Sequence, residues 1–202
     1  MTVASSNQDN SLSENRVYII HGYTASVHDN WFPWLKEQLS AKGIAVEVIE
    51  MPDPNQPIAA DWLEQVYARI GTPDRHTYIV GHSLGCITTL LYMQEQLAIA
   101  PVQLGGALLV SGFDESLYTL PQLDEFVQIP VQYEPLIAAI PQRVVVAAAD
   151  DDIVPVVFSR NFADHSQAEL HELEHGGHFL DRDGFTEFPL VLELLERMIS
   201  TR

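Results

Sequence analysis

Residues 76–97 read HTYIVGHSLGCITTLLYMQEQL. A β-rich run, HTYIVGH (76–82), passes through GHSLG (81–85) directly into LGCITTLLYMQEQL (84–97), which is helix-like and apolar on most sides. An apolar strand followed at once by an all-round apolar helix reads as a buried strand–helix unit. At the junction, G-x-S-x-G places Ser83 on a sharp strand-to-helix turn that lifts it above the sheet edge. The flanking glycines let the backbone make that turn without side-chain clashes. The helix behind it begins with unpaired N–H groups and a positive dipole end. The Leu84 N–H is therefore a candidate donor to the negative oxygen of a tetrahedral intermediate.

Outward from this unit the pattern alternates. RVYIIHG (16–22), IAVEVIE (44–50), LGGALLVSG (104–112), QRVVVAAAD (142–150) and QAELHELEHGG (167–177) read as strands. Helices are expected in WFPWLKEQLSAKG (31–43), where Gly43 is the stop signal, and in DWLEQVYARI (61–70). A closing helix carries Val191, Leu194, Leu195 and Met198 at i, i+3, i+4, i+7 spacing. Strand–helix alternation around about six apolar strands predicts an α/β fold, a compact parallel sheet with helices on both faces. Such sheets carry their sites in the loops at the carboxyl ends of the strands.

One domain is expected over 16–202, after a polar leader at 1–15 that has no charged-then-apolar signal pattern. Residues 113–141, FDESLYTLPQLDEFVQIPVQYEPLIAAIP, interrupt the rhythm and read as either a small lid or a long crossover. The chain has 28 acidic and 10 basic side chains, a formal charge of −18. That balance argues against nucleic acid and against anionic membrane surfaces, since both need Lys and Arg. No stretch approaches the ~20 apolar residues of a membrane span. Cys86 is the only cysteine, so no internal disulfide can form. A cytoplasmic monomer is the expectation.

A serine hydroxyl needs a base to take its proton. EHGGHF (174–179) offers His175 and His178 after the last strand, and His178, farther along a Gly-Gly loop, is the better placed to reach Ser83. The base needs an acid at a strand end between serine and histidine, and Asp150-Asp151-Asp152 stands there. A second oxyanion donor is expected from IIHGYTA (19–25), with the Tyr23 N–H favoured and Thr24 as the alternative. The other histidines, His21 and His82 included, are expected to be structural or exposed.

HG after the first strand, MPDPNQP followed by DWLEQV, GHSLG, LVSGF, DDDIVP and HGGHF occur in this order along roughly residues 16–200. Together they resemble the RBBP9/YdeN family of small serine hydrolases, its bacterial YdeN-type members in particular, within the α/β-hydrolase superfamily. The resemblance implies a compact α/β-hydrolase fold without the first strands of larger relatives. It implies a Ser83–Asp151–His178 triad, the acid being the aspartate four residues before Pro155. It also implies action on small carboxylic esters. Asp152 departs from some relatives, which carry a neutral residue there.

Two further function classes stay open from sequence. One is a non-catalytic binding protein on a hydrolase scaffold. The other uses the same triad for acyl transfer, or for thioester or amide cleavage. No cofactor and no metal is called for, because three consecutive aspartates do not all point one way toward an ion. Cys86 is expected to be a small buried residue. Trp31, Phe32 and Trp34 are expected in the core, and Asp53 as a brace of the MPDP loop.

Overall fold

The computed structural model describes residues 14–201. The leader expected at 1–15 therefore lies, for residues 1–13, outside the described residues, while Asn15 is already buried. Six strands form one parallel sheet in the order β2-β1-β3-β4-β5-β6. They are β1 Arg16–Ile20, β2 Ala45–Ile49, β3 Thr77–His82, β4 Gly106–Val110, β5 Arg143–Ala148 and β6 Glu169–Leu173. All five pairings are parallel, as the alternation of strands and helices requires.

The pleat divides the core in two. Val17, Ile19, Tyr78, Val80, Leu108, Val110, Val144 and Val146 face one side. They pack under α1 (Phe32–Ser40) and α7 (Pro189–Ser200), where Val191, Leu194, Leu195 and Met198 are buried as their spacing predicts. Ile20, Ile79, Ala107, Leu109 and Val145 face the other side. There they meet α2 (Ala59–Ile70), α3 (Leu84–Ile99) and α6 (Val156–Ser166). Trp31 and Phe32 are core residues and Trp34 packs partly buried at the margin.

Helix α6 is absent from the sequence reading. Its buried face consists of Ser159, Phe162, Ala163 and Ser166, so serines take two of the four positions where an apolar stripe would announce a helix. The edge strand β6 is mostly exposed, with Glu169, His171 and Glu172 set beside its two leucines, Leu170 and Leu173. Glu172 pairs with Arg160 and Glu169 with Arg197, both at 2.6 Å. Charges along an exposed edge discourage pairing with another sheet.

Residues 113–141 leave β4 and cross to β5 through a single turn at Pro121–Leu123 and two short helices, α4 (Asp124–Val127) and α5 (Tyr133–Ala139). Phe113, Leu117, Leu123, Phe126 and Leu136 anchor this segment in the core. Among the described residues no helix is long and apolar enough to cross a membrane.

Candidate active site

The chain runs from β1 outward to β2 and then back across to β3, so the carboxyl ends of β1 and β3 flank the point where the winding reverses. Open α/β sheets bind their ligands at such a point. Across neighbouring strands in the order β1, β3, β4, β5, β6, the loops present Tyr23, Ser83, Ser111, Asp151 and His178. The ladder continues past the strand ends: the Ser83 N–H donates to the Val110 carbonyl and the Ser111 N–H to the Val146 carbonyl, both at 2.8 Å.

Ser83 sits between β3 and α3 with φ 54° and ψ −119°. A serine with positive φ is strained, and such strain persists only where the surroundings enforce it. Here they do. A Cβ on Gly85 would lie 2.1 Å from the Ile20 carbonyl oxygen, so only glycine lets the first turn of α3 press against β1. A Cβ on Gly22 would lie 2.8 Å from the Ser83 Cβ, so the loop after β1 is equally close to the serine. Cys86 is fully buried behind the turn with its thiol 3.3 Å from the Gly81 and Val110 carbonyls, and burial pushes its pKa up.

Ser83 and His178 line the same cleft, about 460 Å³ in volume, together with Gly22, Tyr23, Leu120 and Ile153. Behind it, His178 Nδ1 lies 2.8 Å from Asp151 Oδ2 and 3.1 Å from Oδ1. Both side chains are almost wholly buried, His178 at 4% exposure and Asp151 at 2%. Asp151 is held in turn. The backbone N–H groups of Ile153 (3.0 Å) and Val154 (2.9 Å) donate to Oδ1, and the Ser111 hydroxyl donates to Oδ2 at 2.9 Å. A buried carboxylate so fully satisfied can stay ionised and hold the proton on His178 Nδ1, which leaves Nε2 as the basic nitrogen.

The three aspartates part company in space. Asp151 turns inward. Asp152 is exposed. Asp150 crosses to the next loop, where its Oδ1 accepts the Gly176 and Gly177 N–H groups, each at 2.8 Å. Those bonds, that from Gly177 foremost, hold the Asp150 carboxyl below its ordinary pKa. His175 is an exposed neighbour of Asp150 at 3.3 Å and does not enter the cleft. Asp183 braces the same loop from the other side, accepting the His178 and Leu180 N–H groups at 3.1 Å each. The Gly-Gly pair thus belongs to a loop pinned at both ends.

Of the two N–H groups in the loop after β1, that of Thr24 is bonded to the Pro54 carbonyl at 2.8 Å. The Tyr23 N–H has no backbone partner among the described residues. His21 orients that peptide. The Met51 N–H donates to His21 Nε2 at 3.2 Å, so Nδ1 carries the proton and donates to the Gly22 carbonyl at 2.9 Å. In a trans peptide the Tyr23 N–H then points opposite to that carbonyl. Asp53, expected to brace the MPDP loop, is exposed with φ 38°, and its carbonyl accepts the Gln56 N–H.

A family profile for serine hydrolases matches residues 17–197. The chain belongs to the serine hydrolase family. It is 45% identical over 185 residues to YdeN of Bacillus subtilis, covering 92% of this chain and 96% of that protein. It is 25% identical over 172 residues to the serine hydrolase RBBP9 of Rattus norvegicus, covering 84% and 87%. The crystal structure of the B. subtilis ydeN product superposes with a TM-score of 0.89 at 43% identity, covering 93% of this chain and all of that one. Est1E from Butyrivibrio proteoclasticus, at 17% identity, shares the α/β-hydrolase fold with a TM-score of 0.69 over 93% of this chain and 89% of that one.

In this serine hydrolase two site neighbours escaped the sequence reading in their detail. Ser111 joins the Asp151 carboxylate from β4, and only spatial adjacency reveals it. His82, inside the GHSLG motif, is buried with its ring 4.9 Å from that of His178. His82 Nε2 lies 2.9 Å from the His178 carbonyl oxygen, while its Nδ1 is buried without a partner among the described residues. Burial, then the neighbouring His178, drives the His82 pKa down to about 3. A neutral His82 therefore donates Nε2–H to that carbonyl.

Proposed function

We propose that this serine hydrolase cleaves small carboxylic esters through an acyl-enzyme on Ser83. The observation that carries the reading is that Ser83 and His178 share one cleft while the opposite nitrogen of His178 is bound by a buried, fully hydrogen-bonded Asp151. In this reading His178 Nε2 takes the Ser83 proton as Oγ attacks the ester carbonyl. The new C–O⁻ is stabilised by the Tyr23 and Leu84 N–H groups. Collapse breaks the ester C–O bond, and His178 returns the proton to the departing alcohol. Water then attacks the acyl-serine with His178 as base, releasing the acid and restoring Ser83. Asp151 stays ionised throughout and offsets the charge on the imidazolium.

Leu120 and Ile153 offer an apolar wall and Tyr23 an aromatic one, which suits an uncharged acyl or alcohol group. The net charge of −18 works against anionic substrates. The test is a turnover screen over p-nitrophenyl esters from acetate to octanoate, alongside thioesters and aminoacyl amides. Ester turnover that disappears in Ser83→Ala supports the proposal. Turnover confined to thioesters or amides moves the same triad to another acyl substrate. A folded protein inert to all three is a binding protein on a hydrolase scaffold.

A further inference from the structure

Two buried histidines border the cleft, His82 and His178, and the proton transfers described above use only the second. His82 immediately precedes Ser83 at the end of β3. It follows Tyr78 and Val80 onto the face of the sheet that α1 and α7 cover, because alternate strand residues share a face. Its ring packs against Trp31 at 6.0 Å, Phe32 at 5.7 Å and His178 at 4.9 Å between centroids. The ionisable groups around it are His178, Asp151 and His21, and burial outweighs the attraction of Asp151 to keep the ring neutral. A neutral imidazole has a single N–H to give. Here it goes from Nε2 to the main-chain carbonyl of His178, 2.9 Å away and 96 residues along the chain.

The other bonds that hold the His178 loop run elsewhere. The Gly176 and Gly177 N–H groups reach Asp150 after β5, those of His178 and Leu180 reach Asp183, and that of Asp181 reaches Asn30. Among the described residues, the His82 bond is the only hydrogen bond between residues 174–180 and the turn that carries Ser83. One end of this link is covalently next to the serine, and the other is the backbone of the histidine. We propose that His82 is a positioning residue that sets the separation of Ser83 and His178 through its Nε2–H bond to the His178 carbonyl. The inference rests on the reading of Ser83 as nucleophile and His178 as base. Asp151 fixes the rotation of the His178 ring through Nδ1, but the distance of that ring from Ser83 follows the backbone of its loop. Without the His82 donor a buried carbonyl loses its partner, and the loop shifts to find another. A displacement of about 1 Å at such a site costs about 10²-fold in rate. Neutrality belongs to the role, since a charged ring 4.9 Å away would oppose the imidazolium that forms on His178.

The experiment compares two substitutions in the full chain. His82→Phe keeps a flat ring without the donor, with His82→Leu in its place if that variant does not fold. His82→Gln keeps an N–H donor near the position of Nε2. Each is measured for kcat and KM on p-nitrophenyl butyrate, for the rate of fluorophosphonate labelling of Ser83, and for melting temperature. In His82→Phe, kcat and the labelling rate should fall about 10²-fold while KM stays within a factor of about two. His82→Gln should recover both to within about fivefold of the wild type. A role in packing alone would move the melting temperature and leave kcat and labelling in place. On the wild-type protein, ¹⁵N imidazole spectra should show His82 as the Nε2–H tautomer, unchanged between about pH 5 and 8. Undiminished kcat and labelling in the variant without the donor, an equal loss in His82→Gln, or an Nδ1–H tautomer overturns the inference. The tautomer result decides even where a variant is unstable. A wild-type protein that hydrolyses no ester and takes no label fails the Ser83 reading itself, and this inference with it.

Discussion

Asp151 grips His178 with both carboxylate oxygens, Oδ2 at 2.8 Å and Oδ1 at 3.1 Å from Nδ1. The acid is itself fixed by two backbone N–H groups and the Ser111 hydroxyl. Asp151→Asn keeps the size but presents an amide to Nδ1 and removes the charge that supports the imidazolium. Its kcat should fall roughly 10³- to 10⁴-fold with little change in KM. Asp152→Asn, at an exposed position, should stay within a factor of about two. Steady-state kinetics on one ester checks both, and a crippled Asp152→Asn would mean that the acid is the wrong aspartate.

Asp150 deserves a substitution of its own kind. Its role is to accept the Gly176 and Gly177 N–H groups and so hold the loop that carries His178. Asp150→Asn preserves an acceptor oxygen and should be nearly silent. Asp150→Ala removes it and should lower kcat/KM by about tenfold, together with faster amide exchange across 175–179. The depressed pKa gives a pH signature. A carboxyl whose folded pKa lies below its ordinary 3.8 contributes stability above that value and loses it as pH falls through the folded pKa. Asp150→Asn should therefore flatten the acid end of the stability curve below pH ~4.

His82 has the opposite charge type and a wider window. Its folded pKa of about 3 lies below the ordinary 6.5, so the unfolded chain binds more protons between those values. Stability should therefore fall as pH drops from about 6.5 toward 3, by up to about 1.4 kcal/mol per pH unit from this residue. His21, also lowered chiefly by burial, acts in the same sense. Urea unfolding between pH 7 and 5, above the main carboxylate range, measures the slope. His82→Gln, which can still donate to the His178 carbonyl, should reduce it. An unchanged slope would show that His82 is already accessible to protons in the folded protein.

Gly22→Ala tests the loop after β1. The new Cβ would stand 2.8 Å from the Ser83 Cβ, so the loop must move away from the serine and take the Tyr23 N–H with it. Loss of one oxyanion donor costs about 10²- to 10³-fold in kcat. The expected result is a loss of that size with a near-normal melting temperature. Gly85→Ala, whose Cβ would meet the Ile20 carbonyl oxygen at 2.1 Å, should instead fail in folding.

Much of this arrangement is legible in the sequence because it is local. Strand, turn, glycines and helix around Ser83 lie within 76–97, and the apolar periodicities of β3, α3 and α7 come through unaltered in the structure. His178 follows from its place after the last strand. Among three adjacent aspartates, the residue pattern alone does not choose; family resemblance pointed to Asp151. The rest depends on approach in space. Ser111 meets Asp151 across 40 residues and Asp150 meets Gly177 across 27. His82 meets His178 across 96 residues, through the loop that follows β6. Helix α6 stayed hidden because Ser159 and Ser166 fill positions where apolar side chains would have marked it.

The central claim is that Ser83 is the nucleophile. A fluorophosphonate probe reacts with an activated serine and leaves a stable adduct that peptide mass spectrometry can locate. The expected result is one adduct per chain, on the peptide that contains Ser83, with labelling abolished in Ser83→Ala and strongly slowed in His178→Ala and Asp151→Asn. Undiminished labelling of Ser83→Ala, or an adduct on another residue of the wild-type protein, would contradict the account.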